Sequence, residues 1–379
     1  SINFESVSSY NDQIYHSLRG IDKINPLMLI QKFININGDT DFSSLEFAKF
    51  SGYPVEQIKP YLMNLANKGF LFYNSVTDIV TVQEKFKNYV NARLKKGDYD
   101  VIRFQSKISQ SKGDNSFIVN SLLNLDSREL EIKGVNYISI SDSQKVFIRP
   151  NRGLIKVKKN RDFDFSGKIS VGLGRFILFG QEFNFKYDDF KIDLNKIDSL
   201  QISVPKIPIE RDDYGNEKLV KIKTVIQSVS GNLRIDEPTN KSGLRKDSFP
   251  QYPIFKSFDN SYIYYDRPST FGGVYNKEKF YFYLDTFEID SLESYSGKGL
   301  RFPGTFESAG IFPVFNDTLT LMNDYSLGFE RETPSNGFQL YGGKAIYRNK
   351  IFLSNNGLMG NGELEYLSSN TKSNEIYFF

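Results

Sequence analysis

The residues best placed by type and spacing to do chemistry are acids set among aromatics. Asp188, Asp189 and Asp193 follow Phe183, Phe185 and Tyr187, and two carboxylates suffice to hydrolyse a glycosidic bond. The same phrase returns later in the chain. Phe183, Phe185, Asp188, Phe190, Ile192 and Asp193 recur at identical spacing as Phe280, Phe282, Asp285, Phe287, Ile289 and Asp290. A catalytic pair is seldom duplicated within one chain, whereas a structural unit often is. The phrase is therefore expected to build scaffold, with Phe183, Phe185, Tyr187, Phe280 and Phe282 as a core or groove-lining face and the aspartates at strand edges and turns.

Other chemical candidates are weaker. His16 is the single histidine, it lies in a polar stretch, and cysteine is absent, so histidine triads, Cys–His pairs and thiolate or multi-histidine metal sites are not expected. Asn37, Asp39 and Asp41 alternate as calcium ligands do, yet Phe42 stands where a calcium loop needs glycine. They read as a helix cap. Gly357, Gly360 and Gly362 run on into a strand-like 363–366 and not into a helix, which argues against a phosphate cradle. No catalytic residue, metal or cofactor is assigned, and the protein is expected not to be an enzyme.

The elements that would position these residues change character near residue 100. Before it, apolar residues recur at helical spacing in 27–33, 43–50 and 55–66, followed by strand-like 71–73 and 79–82 around a turn and a last helix over 84–96. Three short helices and a hairpin predict a winged-helix-like domain over 23–100, preceded by an N-terminal segment, 1–22. The third helix, carrying Val55, Lys59 and Lys68, is the candidate interaction helix. Its only cations are Lys59 and Lys68, Pro60 falls inside it, and the hairpin 71–82 has no Lys or Arg. Affinity for nucleic acid comes largely from neutralised phosphates. A packing or protein-interaction role is expected instead.

After residue 100 short strands follow one another without helices between them, which predicts antiparallel sheet. A first β-sheet region spans 101–206, a loop-rich connector with one long strand over 220–229 spans 207–268, and a second β-sheet region with the second repeat spans 269–379. In 182–187, Phe183, Phe185 and Tyr187 alternate with polar residues, so one face is aromatic and has to be covered by a second sheet, a closed barrel, a partner or lipid. The fold class is thus mainly β with a small N-terminal α+β domain.

Composition narrows the setting. The 379 residues include 48 basic and 45 acidic ones, a net charge of +3, which generates no field steering the chain to polyanions. Aromatics make up 15%, all of them the 34 Phe and 23 Tyr, and such content favours strands. Zero cysteine fits a bacterial envelope protein. No segment reaches the roughly 18 uninterrupted apolar residues of a membrane helix. Starting at Ser1 and ending on an aromatic strand, the sequence reads as a mature form or part of something longer.

The stretches GDYD (97–100), RDFDFSG (161–167), IDEPTNKSG (235–243), DYSLGF (324–329) and GLMGNGELEYL (357–367) together resemble the large, β-rich, functionally uncharacterised cell-envelope proteins of Bacteroidota. The resemblance covers essentially the whole chain. It implies an extracytoplasmic fragment of a longer protein, periplasmic or outer-membrane associated, and supplies no activity or binding residues. The glycine-punctuated sheet with one apolar face is also similar to lipid-bridging β-groove proteins of the AsmA/TamB kind. Three functional expectations follow. The first is a non-enzymatic envelope scaffold that docks other envelope proteins; the others are a lipid carrier lined by the phenylalanine faces, and a winged-helix regulator with a β sensor domain.

Overall fold

The computed structural model describes residues 2–6, 8–21, 23–108 and 119–379. Strand takes 45% of the chain and helix 16%, so the fold is mainly β with a small N-terminal α+β module. Helices α1 (Asp12–Ser17), α2 (Pro26–Asn37), α3 (Ser44–Ser51), α4 (Val55–Asn67) and α5 (Glu84–Arg93) all fall before residue 100.

Local chemistry sets these helix ends. The Asn25 side chain accepts from the Leu27 N–H, Pro26 occupies the first turn of α2, and Gly38 ends it in the left-handed region. Ser43 and Glu46 form a reciprocal capping box at α3. Pro60 is accommodated inside α4, whose Ile58, Leu62 and Leu65 face inward. Strands Asp41–Ser43, Ile79–Val82 and Leu71–Asn74 pair in that spatial order. The module therefore has the helix, strand, helix, helix, strand, strand order of a winged helix, around its own core of Phe33, Phe47, Phe70, Phe86 and Tyr89.

The remaining strands form one large antiparallel sheet. Arg103–Ser106, Val135–Ser141, Val146–Val157, Phe163–Val171, Phe176–Lys186 and Lys191–Pro205 are successive neighbours. At Lys191–Pro205 the sheet forks. One branch runs through Val229–Arg234 and Ile254–Ser257 to Glu288–Ile289. The other runs through Ile226–Gln227, Ser261–Tyr264, Phe280–Leu284 and Phe302–Ser308 toward the edge strand Ser369–Phe378. Both branches enclose a single apolar core.

Two sequence expectations are revised here. The N-terminal segment is not separate from the sheet, because Ile2–Glu5 pairs with Arg103–Ser106 from Ile2↔Ser106 to Glu5↔Arg103. The helical module is thus inserted between two neighbouring strands. The stretch 207–268 is loop-rich as expected but also contributes short strands to the sheet, and its expected long strand breaks into Leu219–Lys221, Ile226–Gln227 and Val229–Arg234, with Ser228 at φ 58° between the last two. Residues 151–153, whose Asn-Arg-Gly sequence has turn composition, lie inside the continuous strand Val146–Val157. Arg152 and Gly153, at φ 52° and 65°, produce a bulge, and its neighbour skips from Phe165↔Ile155 to Gly167↔Pro150. Strand Ser121–Asn124 pairs with Glu129–Ile132.

The repeated phrase takes two different topologies. In the first copy, Phe176–Lys186 turns at 187–190 and pairs directly with Lys191–Pro205, Phe190 adopting φ 48° in the turn. In the second copy no hairpin forms. Phe280–Leu284 pairs with Ser261–Tyr264 and Phe302–Ser308, while Glu288–Ile289 pairs with Ile254–Ser257. The Phe287 N–H donates to Ser257 Oγ at 2.8 Å, and the Ser257 N–H donates back to the Phe287 carbonyl at 2.9 Å. These bonds hold the second copy to a different strand.

Candidate functional site

The aromatic face is core. Phe183, Phe185, Phe280 and Phe282 are each 0% exposed. Phe183 packs edge-on to Phe165 at 5.5 Å, Phe185 lies 4.8 Å from Phe163, and Phe306 covers Phe280 and Phe282 at 5.3 and 6.4 Å. Protein covers these rings, each contributing about 1.5–3 kcal/mol by its burial. The acids beside them point outward and take cation partners. Asp188 is 3.7 Å from Arg161, while Asp189 and Asp193 are 3.4 and 3.6 Å from Lys191. Asp285 and Asp290 are exposed. Among the described residues there is no group of three or more His, Cys, Asp or Glu able to hold a metal.

Tyr187 has a different part. Its hydroxyl donates to the Asp100 carboxylate at 2.6 Å, and the Arg161 guanidinium stacks over its ring at 3.8 Å. Asp100 is fully buried and also accepts from the Ile102 N–H at 3.0 Å. Burial raises its pKa above the usual carboxylate range, against the pull of bonds from Tyr187, Ser6 and Ile102. Two residues upstream, Asp98 accepts from the N–H groups of Lys241 and Ser242 and from the Ser242 hydroxyl. These bonds seat the helical module on the sheet.

At that junction lies a groove of about 630 Å³. Its floor is the outer face of three paired strands, with Asn3 and Glu5 beside Gln105 and Arg103, and Ser139 opposite Arg103. Its wall is Tyr10, Asn11 and Ile14 at the start of α1. Asn11 is held by capping, its side chain accepting from the Ile14 N–H at 3.1 Å. Tyr10 donates to Asp12 at 2.9 Å, and burial together with that carboxylate pushes its pKa up. Tyr137 stacks on Phe147 at 5.3 Å and keeps 42% of its surface open. Arg103 and Asp142 pair across the floor at 3.3 Å. The side-chain amides of Asn3, Gln105 and Asn136 line the groove without an intramolecular hydrogen bond among the described residues. Among the described residues, strand Ile2–Glu5 pairs only with Arg103–Ser106.

Such a site offers paired donors and acceptors, an aromatic face and charges of both signs. Its two carboxylates are each paired with a cation, Glu5 with Lys85 at 3.3 Å and Asp142 with Arg103 at 3.3 Å. No family model, curated protein or solved structure matches the chain.

The candidate interaction helix sits apart from this groove. Val55 is half-buried against the helical core, Lys59 is 3.9 Å from Asp78, and Lys68 is exposed at the C-terminal end of α4. Asp78 also accepts from the Ser44 and Tyr73 hydroxyls at 2.7 and 2.8 Å. Burial works to raise its pKa, but these bonds and Lys59 prevail and lower it. The wing hairpin displays Phe72, Val76 and Ile79, 58%, 92% and 47% exposed, where a DNA-binding wing carries cations. Behind the groove, a cavity of about 190 Å³ is walled by Phe4, Phe104, Ile132, Phe163 and Phe185 with Lys158 and Arg161 at its rim. A cavity of ~150 Å³ holds one benzene. It has room for a small apolar group.

None of the groove residues was singled out by sequence reasoning. Asn3, Gln105 and Asn136 are far apart in the chain and meet only through the pairing of Ile2–Glu5, Arg103–Ser106 and Val135–Ser141. The one available signal was the amphipathic 2–5 stretch, with Ile2 and Phe4 alternating with Asn3 and Glu5.

Proposed function

We propose that this protein is a non-enzymatic interaction component of a bacterial cell envelope, and that it holds an extended segment of a partner protein in the groove between its helical module and its sheet. The groove carries the reading. Side-chain amides unpaired among the described residues match the alternating donors and acceptors of a main chain, and strand Ile2–Glu5, which among the described residues pairs only with Arg103–Ser106, gives such a segment a ladder to join. The apolar, cation-free wing supports protein rather than nucleic acid as the partner class. The envelope setting rests on the sequence resemblance and on the absence of cysteine.

The test is site-specific crosslinking in cells. A photoreactive phenylalanine analogue placed at Tyr137 or Gln105 is expected to trap a discrete protein, and Arg103→Glu to abolish that adduct. The same analogue at Tyr214, an exposed loop residue outside the groove, is the control. Equal trapping at Tyr214, or adducts only with lipid or nucleic acid, would sink the proposal.

A further inference from the structure

A second pocket, of about 440 Å³, lies where three segments of the sheet meet: residue 207 after Lys191–Pro205, the turn 297–301 before Phe302–Ser308, and 320–325 at the end of Phe315–Leu321. Packing fixes its walls. Gly297 is buried at φ 86°, and a Cβ there would stand 2.7 Å from Val204 Cγ1. Leu300 is 3% exposed and donates its N–H to the Gly297 carbonyl at 3.2 Å. The turn is pinned at both of these residues, which leaves Lys298 and Arg301 exposed at the pocket. The Tyr325 hydroxyl accepts from the Ile207 N–H at 2.9 Å, and the Tyr325 carbonyl accepts from the Lys223 N–H at 2.9 Å, which ties residue 207 to the segment 320–325.

The pocket holds positive charge of a kind that the neighbouring surface neutralises. In the adjoining stretch 206–218, Lys206 and Lys218 pair with Glu210, and Arg211 pairs with Glu217. Lys298 and Arg301 have no acidic partner among the described residues, and no Asp or Glu is among the residues lining the pocket. Asp324, between two lining residues in sequence, does not offset them. Its Oδ1 accepts from the Ser326 N–H and hydroxyl at 3.0 and 2.6 Å, and its Oδ2 is sealed from solvent. Thr320 and Asn323 add a hydroxyl and an amide to the same lining. Guanidinium, ammonium, hydroxyl and amide donors together match the oxygens of a phosphate.

The lip of the pocket is apolar. Ile207, which lines it, and Ile209 are 65% and 63% exposed, and Pro208 between them is exposed as well. Single exposed aliphatics are ordinary, whereas contiguous ones mark a contact surface. Exposed aliphatics beside uncompensated cations are the combination that an anionic lipid surface attracts. We infer that this pocket receives the phosphate headgroup of an anionic phospholipid at a membrane surface, with Lys298 and Arg301 on the phosphate and 207–209 against the first carbons of the acyl chains. The volume falls within the ~300–1,000 Å³ of small-molecule sites. The pocket shares no lining residue with the groove at the helical module, and the two assignments are tested separately.

The full 379-residue chain would be floated with vesicles of phosphatidylcholine alone, and with vesicles in which about a third of the lipid is phosphatidylglycerol. Binding is expected to the second kind only, falling several-fold as salt is raised from about 0.1 to 0.5 M. Lys298→Glu and Arg301→Glu should each weaken it about tenfold or more. The double variant Ile207→Asn, Ile209→Asn should weaken it by a similar factor, while Lys344→Glu, the same charge change at an exposed lysine outside the pocket, should leave it within about twofold. Lys298→Gln, which only removes a charge, should weaken binding several-fold and keeps the test valid if the charge reversals disturb folding. Equal binding to both kinds of vesicle, or binding to neither, would overturn the inference, as would equal losses at Lys344 and Lys298. Saturable calorimetric binding of inorganic phosphate or glycerol 3-phosphate without flotation on the anionic vesicles would assign the pocket to a soluble phosphate and overturn the lipid.

Discussion

Asp100 sets the pH behaviour of the junction. Its carboxylate is buried beneath Tyr187, and burial raises its folded pKa above the unfolded value of about 3.9. A raised pKa means that the folded state holds the proton more tightly. The stabilisation is fully present below the unfolded pKa and is lost as pH rises through the folded one. Asp100→Asn keeps an acceptor for the Ile102 N–H without the charge. Its stability relative to the wild type should therefore increase as pH rises from about 4 to 7, measured by urea unfolding at each pH. A gap that stays flat or narrows would contradict the assignment. Glu293 behaves in the opposite sense. Burial would raise its pKa, but Lys145 at 2.9 Å and the Lys246 ammonium outweigh it and hold it below the usual carboxylate range. Its contribution is present above the unfolded pKa and lost as pH falls through the folded one. Glu293→Gln should cost about 1–3 kcal/mol at neutral pH and progressively less in acid, as equilibrium unfolding would show.

Among the elements, the bulged strand Val146–Val157 governs the sheet's shape. Its extra residues are accommodated opposite Gly167, which sits at φ 142° with any Cβ directed into the Arg149 carbonyl and toward the Asn151 N–H. Gly167→Ala should destabilise the protein by about 2 kcal/mol or more, whereas alanine at Gly299, which has open space around it, should change stability by less than about 0.5 kcal/mol. Comparable losses at both sites, read by denaturant midpoint at constant m-value, would remove the bulge as the cause. The helices were legible because each carries its own signals, such as Pro26 and Gly38 at the ends of α2 or Ser43 with Glu46 at α3. The bulge was not. Arg152 and Gly153 look the same in a bulge as in a hairpin turn, and what separates the two is that 155–157 continues to pair with the strand that 147–150 pairs with.

For the whole molecule, two apolar cores meet at a narrow polar junction. The helical core and the sheet core are separate clusters, linked by Asp100 to Tyr187, Asp98 to Lys241 and Ser242, and Arg161 to Ser8 at 3.0 Å. Calorimetry should resolve two unfolding transitions, and Tyr187→Phe, which removes the bond to Asp100, should move the helical module's transition to lower temperature while leaving the sheet's within about 2 °C. One merged transition that shifts as a unit would mean the cores are fused energetically. The sequence alone determined the change from helices to strands near residue 100, the mainly β class and the alternation that gives 182–187 one aromatic face, because period, capping and alternation are local and survive without knowledge of the partner strand; that protein covers that face was decided only by the tertiary structure. Only the tertiary structure decided that Ile2–Glu5 belongs to the sheet, that one repeated phrase makes a hairpin in one place and joins two different strands in the other, and that Asn3, Gln105 and Asn136 converge on one groove. Strand pairing joins residues a hundred positions apart through main-chain bonds that any side chain can make, so the choice of neighbour rests with the core that the assembled sheet encloses.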